Sequence, residues 1–198
     1  MKKNFLAGLV ICSMIIVSGG TVMADTFDFE GTMTYQNEIK TFNFTLLNDA
    51  TGVRVWTDSF DNFNNFDPIT ALWNASTGGL IAENDDHPSV NPSTQTYFDS
   101  GFSLSTLSAG SYFFTVAVFA NFANGDNISD GFRYDNENPI TLAQYYNNRT
   151  PTPGGYYHVV LDGVDSASST APVPEPASML LFGTGLAGLA AVGRRKKA

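Results

Sequence analysis

The stretch Ser111-Tyr-Phe-Phe-Thr-Val-Ala-Val-Phe119 decides the fold class, because its side chains are almost all apolar. A strand that is buried on both faces has this composition, whereas a half-buried strand alternates between apolar and polar residues. The run therefore predicts a central β-strand whose two faces are both covered by other parts of the protein.

Segments on either side of this run alternate between apolar and polar residues with a period of two. In Lys40-Thr-Phe-Asn-Phe-Thr-Leu46, for example, Phe42, Phe44 and Leu46 share one face. Further strands are predicted at 26–30, 53–57, 69–73, 80–82, within 95–107 and at 156–161, while 142–146 fits a short helix or another strand. About eight to ten short strands with Gly, Asn and Asp turns predict an all-β fold, an antiparallel β-sandwich of jelly-roll type.

The first 24 residues have the three parts of a secretory signal peptide. A positive start, Met1-Lys-Lys3, precedes the apolar segment Phe5 to Val17 and the small-residue cleavage site Val22-Met-Ala24. An uncleaved membrane anchor is the alternative interpretation. Cys12 does not fit a lipidation site well, because Val10-Ile11 precedes it where a small residue is required.

The other end of the chain combines a rigid spacer, an apolar stretch and a positive cluster. Proline fixes φ and lacks an N–H donor, so 172–176 is not expected to join a sheet or a helix interior. Residues 177–193 are about 17 residues long, at the lower limit for a membrane-spanning helix. The positive cluster is expected to stay on the cytoplasmic side of the membrane; it consists of Arg194, Arg195, Lys196 and Lys197.

These features divide the chain into a signal peptide at 1–24, a β-sandwich domain at 25–163, a Ser/Ala/Pro linker at 164–173 and a C-terminal segment at 174–198. Residues 25–173 contain 18 acidic and 4 basic residues, a formal charge of −14. Such a charge excludes nucleic acid and anionic lipid surfaces as electrostatic partners. The single cysteine, Cys12, lies in the signal peptide, so the exported domain has neither a disulfide nor a catalytic thiol.

The segment Val173-Pro-Glu-Pro-Ala-Ser-Met179, with the apolar stretch and the basic cluster after it, resembles the PEP-CTERM sorting signal of Gram-negative bacteria. The resemblance implies that an exosortase, a membrane enzyme with a catalytic cysteine, cleaves near Pro174, Glu175 and Pro176. It also implies export, transient anchoring in the inner membrane by the C-terminal helix, and delivery to the cell surface or beyond. Proteins with this tail are typically linked to exopolysaccharide and biofilm production.

A second resemblance covers roughly 50 residues of the middle of the chain. Phe66-Asp-Pro-Ile-Thr-Ala-Leu-Trp73, Gly79-Leu-Ile-Ala-Glu-Asn-Asp-Asp86 and Leu107-Ser-Ala-Gly-Ser-Tyr112 resemble the bacterial pre-peptidase C-terminal type of β-sandwich. The resemblance implies a non-catalytic module of secreted proteins. Residues 121–155 have no counterpart in that pattern.

Two acidic segments are candidates for binding Ca²⁺, which prefers carboxylate, amide and carbonyl oxygens. The first combines Asn84, Asp85 and Asp86 with Asp67, and the alternative is an acidic turn that closes a hairpin. The second is Asn124 to Gly131, which lacks the closing Glu of an EF-hand loop; a solvated loop is its alternative.

Trp56 is the candidate for carbohydrate binding, because it lies on the strand face opposite Val53 and Val55 and is expected to be the more exposed tryptophan. The two histidines, His87 and His158, belong to no recognisable catalytic motif. The sequence therefore predicts a secreted, surface-sorted, non-enzymatic β-sandwich protein of the extracellular matrix or exopolysaccharide system. The alternative is a carbohydrate- or calcium-binding module that recognises exopolysaccharide directly.

Overall fold

Nine β-strands in two antiparallel sheets form the fold of the described residues, 25–147 and 149–170, in the computed structural model. The predicted signal peptide and the predicted sorting signal, with its apolar stretch and basic cluster, lie outside these residues. Within them, no helix is both long enough and apolar enough to cross a membrane.

The strands alternate between the two sheets along much of the chain. One sheet has the order β1-β8-β3-β6 and the other the order β5-β4-β7-β2-β9. The strands are β1 (Asp25–Thr32), β2 (Lys40–Leu46), β3 (Ala50–Thr57), β4 (Pro68–Asn74), β5 (Leu80–Asn84), β6 (Gly101–Leu107), β7 (Gly110–Val118), β8 (Tyr156–Val164) and β9 (Ser166–Thr170).

Strand β7 is the middle strand of the five-stranded sheet, and both of its faces are covered. On one face, Phe114 and Val116 are fully buried in the main core. On the other, Phe113 packs with Trp73 and Phe132 in a smaller cluster, because the segment after β7 folds back over the outside of the sheet. The prediction of a central strand buried on both faces is therefore confirmed.

Aromatic rings join the two sheets across the main core. The ring centroid of Phe42 in β2 lies 5.3 Å from that of Phe29 in β1 and 5.8 Å from that of Tyr157 in β8. The rings of Phe102 in β6 and Phe114 in β7 are 6.3 Å apart. Such pairs contribute about 0.5–1.5 kcal/mol each beyond the burial of their area. They place the sheets face to face, and the predicted β-sandwich is confirmed.

The predicted boundary between domain and linker is wrong. Residues 166–170 form β9, which pairs with β2 from Thr45 opposite Ser166 to Thr41 opposite Thr170, so the sandwich continues to residue 170. The segment Ser-Ala-Ser-Ser-Thr has no apolar alternation that would reveal a strand. Its main-chain N–H and C=O groups form hydrogen bonds with those of β2, and this pairing does not depend on apolar side chains.

The structure decides the secondary structure of two segments for which the sequence left alternatives open. Leu142–Tyr145 forms a short helix, α1, whose first turn is capped because the Thr141 hydroxyl accepts a hydrogen bond from the main-chain N–H of Gln144. Between 95 and 107, only β6 is a strand, and the residues before it form a turn around the buried Asp99.

Residues 121–155, which have no counterpart in the pre-peptidase C-terminal pattern, serve two structural purposes. Phe132 covers the outer face of the five-stranded sheet. Leu142 and Tyr146, in and just after α1, reach the main core. The contact of Leu142 and Tyr146 with the core places the end of α1 beside the start of β4, where the candidate site lies.

Candidate metal centre

The β4–β5 hairpin brings three aspartates together. The two strands are antiparallel, with Thr70 opposite Asn84. The residue before β4 and the residues after β5 therefore lie at the same end of the hairpin, opposite its turn. Asp67 precedes β4, and Asp85 and Asp86 follow β5. Ligand oxygens of the three carboxylates all lie within 4.8 Å of one another.

Two of these carboxylates have an oxygen that is shielded from solvent and lacks a donor. Oδ1 of Asp67 and Oδ1 of Asp85 are buried, and neither has a hydrogen-bond partner in the part of the chain that the structure describes. A buried polar atom without a partner destabilises the folded state by about 1–3 kcal/mol, and more when it is charged. Asp86, by contrast, is exposed. The site therefore has two inner oxygens and one carboxylate at its mouth.

The pKa values reflect this crowding. Burial, reinforced by the negative charges of Asp85 and Asp86, raises the pKa of Asp67 to about 7, and the guanidinium of Arg149 offsets only part of the rise. Burial, with the charges of Asp86 and Glu83, raises the pKa of Asp85 to about 6. Each ionised carboxylate thus makes the ionisation of its neighbours less favourable, and a cation would remove this repulsion.

The donor set fits a hard divalent cation. Ca²⁺ takes six to eight oxygen ligands, and carboxylates bind it through one or both oxygens. Asp67, Asp85 and Asp86 supply oxygens only, and two of these lack another partner within the described residues. These three residues would hold the ion, with water completing its coordination. The absence of histidine and cysteine from this set makes zinc a poor match.

The fourth predicted ligand, Asn84, has a different contact. Its side-chain amide donates a hydrogen bond to the main-chain oxygen of Gly101 at 3.1 Å, and Nδ1 of His87 lies 3.1 Å from the same oxygen. The main-chain N–H of His87 donates a hydrogen bond to the main-chain oxygen of Asp99 at 2.8 Å. These bonds tie the segment that carries Asp85 and Asp86 to the start of β6, so they position the site.

Tyr146 and Arg149 border the acidic cluster. Burial raises the pKa of Tyr146 well above its usual range, and the charge of Asp67 adds to this rise. The Tyr146 hydroxyl is itself buried. A cavity of about 300 Å³ lies alongside, lined by both residues together with Phe119, Tyr145 and Asn147.

Asp99 is an organising residue that the sequence did not reveal. It is fully buried, and its carboxylate accepts hydrogen bonds from the main-chain N–H groups of Ser59 at 2.9 Å, Phe60 at 3.0 Å and Thr96 at 2.8 Å. Burial raises its pKa, and these hydrogen bonds partly offset the rise. The only signal in the sequence is an Asp in a turn-rich segment, which is too common to single out one residue.

The prediction that Trp56 presents its ring to carbohydrate is wrong. Only 4% of its surface is exposed, because Val160 of β8 and Val90 of the segment between β5 and β6 cover the ring. The Arg54 guanidinium lies 5.2 Å from the ring centroid. The face opposite Val53 and Val55 is therefore not free, since a loop from elsewhere in the chain packs on it.

The second acidic segment uses its side chains to shape a turn. Ile128–Asp130 forms a short 3-10 helix, and the Asn127 side chain accepts from the main-chain N–H of Ser129 at 3.0 Å. Oδ2 of Asp130 accepts from the N–H of Asn127 at 3.1 Å. This reciprocal capping gives the side chains of Asn127 and Asp130 hydrogen-bond partners within the turn, which favours the solvated-loop alternative.

Comparison with known proteins adds one match. Residues 172–196 match the family model described as the PEP-CTERM protein-sorting motif, over a segment that includes Pro174, Glu175 and Pro176. The motif supports export, processing by an exosortase and sorting to the cell surface. No curated protein and no solved structure matches the chain. The resemblance of the middle segment to pre-peptidase C-terminal sandwiches therefore stays a prediction.

Proposed function

We propose, from the premise that residues 172–196 are a PEP-CTERM sorting motif, that this is a non-enzymatic surface protein of the extracellular matrix or exopolysaccharide system. After export, the C-terminal segment holds the domain at the outer side of the inner membrane. An exosortase then cleaves near Pro174, Glu175 and Pro176, and the domain passes to the cell surface or the medium. The observation that carries the proposal is the match to the motif itself.

The arrangement of the chain supports this sequence of steps. Strand β9 ends at Thr170, and the matched motif begins at residue 172, so the sorting segment follows the last strand of the sandwich almost directly. A cleavage near 174–176 would leave every strand of the described domain intact. The strong negative charge of residues 25–173 favours a soluble product that does not adhere to anionic envelope surfaces.

We further propose that the sandwich binds Ca²⁺ through Asp67, Asp85 and Asp86. The shared position at the hairpin edge and the two unpartnered inner oxygens support this role. Extracellular modules bind Ca²⁺ with a Kd of about 10⁻⁴ to 10⁻³ M, which suits an exported protein. The ion would join the start of β4 to the end of β5 and would make the domain more stable outside the cell than before export.

The sorting step is tested by the intact mass of the protein recovered from the envelope and from the medium of the organism that encodes it. A mass that ends near residues 174–176, with or without an added group, is expected. A strain that lacks the exosortase is the control, and there the full C-terminus should persist. A mass that runs to Ala198 in the wild-type strain would overturn the sorting proposal but leave the sandwich and its calcium site unaffected.

The matrix role has a separate test. A strain that lacks this protein should form less biofilm or release more of its polysaccharide into the medium than the wild type. Complementation with the full chain should restore both properties. Unchanged biofilm and unchanged polysaccharide retention in the deletion strain would contradict the matrix role.

A further inference from the structure

The structure contains a second cavity, with a volume of about 630 Å³. Its walls come from three segments: the end of β1, residues 58–61 and 64–65 after β3, and residues 154–156 at the start of β8. The volume is in the range of small-molecule binding sites, which is about 300–1,000 Å³. None of its lining residues belongs to the proposed calcium site.

Two side chains in the wall of this cavity are almost completely buried and carry an unused polar atom. Ser59 is 6% exposed and Asn65 is 5% exposed. The Ser59 hydroxyl and Oδ1 of Asn65 have no hydrogen-bond partner among residues 25–147 and 149–170. Buried polar atoms are nearly always paired with protein, water or a bound group, so two orphaned atoms in one cavity wall mark a place where water or a ligand group would complete them.

The hydrogen bonds of Asn65 fix the role of its free oxygen. Its side-chain nitrogen donates to the main-chain oxygen of Ser59 at 2.7 Å and also to the main-chain oxygen of Tyr156. An amide nitrogen has two N–H donors, and both are used by these two acceptors. The amide orientation is thereby set, and Oδ1 is left as a fixed acceptor for a hydroxyl or N–H group of a ligand.

An aromatic ring stands at the mouth of the cavity. Tyr156 lines the cavity and is 46% exposed. Its hydroxyl donates to Oε2 of Glu30 at 3.0 Å, which holds the ring in place. A fixed, exposed aromatic face packs well against the C–H face of a sugar ring, because its body is apolar while its edge is polar.

The loop between these groups is also held in place. Asn62 and Phe63 have positive φ angles of 43° and 63°, which side-chain-bearing residues rarely adopt. The Tyr97 hydroxyl donates to Oδ1 of Asn62 at 3.0 Å, and the Arg149 guanidinium lies 4.8 Å from the Phe63 ring centroid. The wall is therefore built before a ligand arrives, which reduces the entropy lost on binding.

The charges around the cavity select the class of ligand. Asp58 and Asp61 are in its wall, so an anion would be repelled. Asp58 already contacts Nδ1 of His158 and accepts from the Trp56 indole N–H at 3.4 Å, which leaves Asp61 as the exposed carboxylate. An exposed carboxylate is a strong acceptor for ligand hydroxyl groups.

We infer that this cavity binds a neutral saccharide unit. A sugar hydroxyl donates to Oδ1 of Asn65, a second exchanges a hydrogen bond with the Ser59 hydroxyl, and the sugar ring packs on Tyr156. The inference concerns this cavity alone and stands whether or not an exosortase processes the chain. It also replaces the ring of Trp56, which is buried, with the exposed ring of Tyr156.

The test uses the full chain in a non-glycosidic detergent, with Ca²⁺ present throughout, and a panel of neutral gluco-, galacto- and manno-oligosaccharides. Binding is measured by calorimetry. Ser59→Ala removes only the orphaned hydroxyl, and Tyr156→Ala removes the ring; each is expected to weaken binding about tenfold. Tyr35→Ala is the matched control, since Tyr35 is also an exposed tyrosine but does not line this cavity, and it should retain affinity within about threefold.

The thermal midpoint separates loss of binding from loss of folding. Ser59→Ala is expected to melt no lower than the wild type, because its hydroxyl has no partner to lose. The inference is overturned if no oligosaccharide of the panel binds with a Kd below about 10 mM. It is also overturned if Ser59→Ala and Tyr156→Ala bind as tightly as the wild type.

Discussion

Asp67 and Asp85 each bury an oxygen that lacks a donor in the described part of the structure, and these carboxylates lie within 4.8 Å of each other. The antiparallel pairing of β4 with β5 enforces this proximity across 18 residues of sequence. Two inward carboxylates at such a distance repel each other when both are ionised. The hairpin therefore holds two carboxylates in a repulsive arrangement, and a divalent cation bound between them would replace this repulsion with attraction.

Calcium should raise the thermal midpoint of the protein. With a Kd of about 10⁻⁴ to 10⁻³ M, 10 mM Ca²⁺ would stabilise the folded state by roughly 1.4–2.7 kcal/mol. For a domain of this size, that corresponds to a rise of roughly 3–10 °C. Differential scanning calorimetry with Ca²⁺ and with Mg²⁺ measures it, and equal midpoints with and without Ca²⁺ would contradict the calcium site.

Asp67→Asn should abolish most of this calcium effect and should stabilise the calcium-free protein. The substitution keeps the shape of the side chain but removes one of the crowded charges. Asp126→Asn is the matched control, because Asp126 is exposed, lies outside the cluster and loses the same charge. A calcium-dependent midpoint that is the same in Asp67→Asn as in the wild type would place the ion elsewhere.

The calcium-free protein should become less stable as the pH rises from 5 to 8. The folded-state pKa of Asp67 is raised to about 7 and that of Asp85 to about 6, from a usual value of 3.8. The folded state thus holds these protons more tightly than the unfolded state. Their contribution is complete below about pH 4 and is lost as the pH passes through 6 to 7.

Saturating Ca²⁺ should reduce this pH dependence, because the ion compensates the ionised carboxylates. Thermal midpoints measured across the pH range, with and without Ca²⁺, provide the comparison. Asp67→Asn should show a shallower decline than the wild type without calcium. Identical pH profiles for these two proteins would show that Asp67 does not titrate in this range.

Asp99→Ala should destabilise the fold by roughly 3 kcal/mol. The substitution leaves the main-chain N–H groups of Ser59, Phe60 and Thr96 without their acceptor in a buried turn. Asp126→Ala is the surface control and should change stability by less than about 0.5 kcal/mol. Urea unfolding gives both values, and equal midpoints for the two variants would contradict the role assigned to Asp99.

Ala167→Asp should destabilise the protein by roughly 2 kcal/mol, whereas Ser168→Asp should be nearly neutral. Ala167 of β9 packs against the main core, and Ser168 is exposed on the next position of the same strand. The two substitutions introduce the same charge at adjacent positions. They differ only in the face of β9 that carries it. Equal unfolding midpoints would indicate a linker at 166–170 in place of a strand.

Much of the fold could be predicted because its strands carry their own periodicity. Phe42, Phe44 and Leu46 repeat at every second residue and lie in the core, and the continuous apolar run around Phe114 is the doubly covered strand. The grouping of Asp67 with Asp85 and Asp86 could also be anticipated, because a short antiparallel hairpin brings its two ends together regardless of what surrounds it.

Other features could not be predicted, since they depend on segments that are distant in sequence. Trp56 occupies a strand position that looks exposed, but Val90 and Val160 cover it. Strand β9 has no apolar pattern and exists through its main-chain pairing with β2. The second cavity is lined by three segments that are separate in sequence. Which atoms of Ser59 and Asn65 lack a partner depends on the hydrogen bonds that the folded chain makes around them.

The sequence by itself determined the sorting motif at 172–196 and the two-sheet class of the domain. A short linear motif and an alternating strand are both encoded in consecutive residues. Only the tertiary structure decided which polar atoms are buried without partners, which aromatic ring is accessible, and where the domain ends. Burial is a property of packing among distant segments, and no local pattern of residues specifies it.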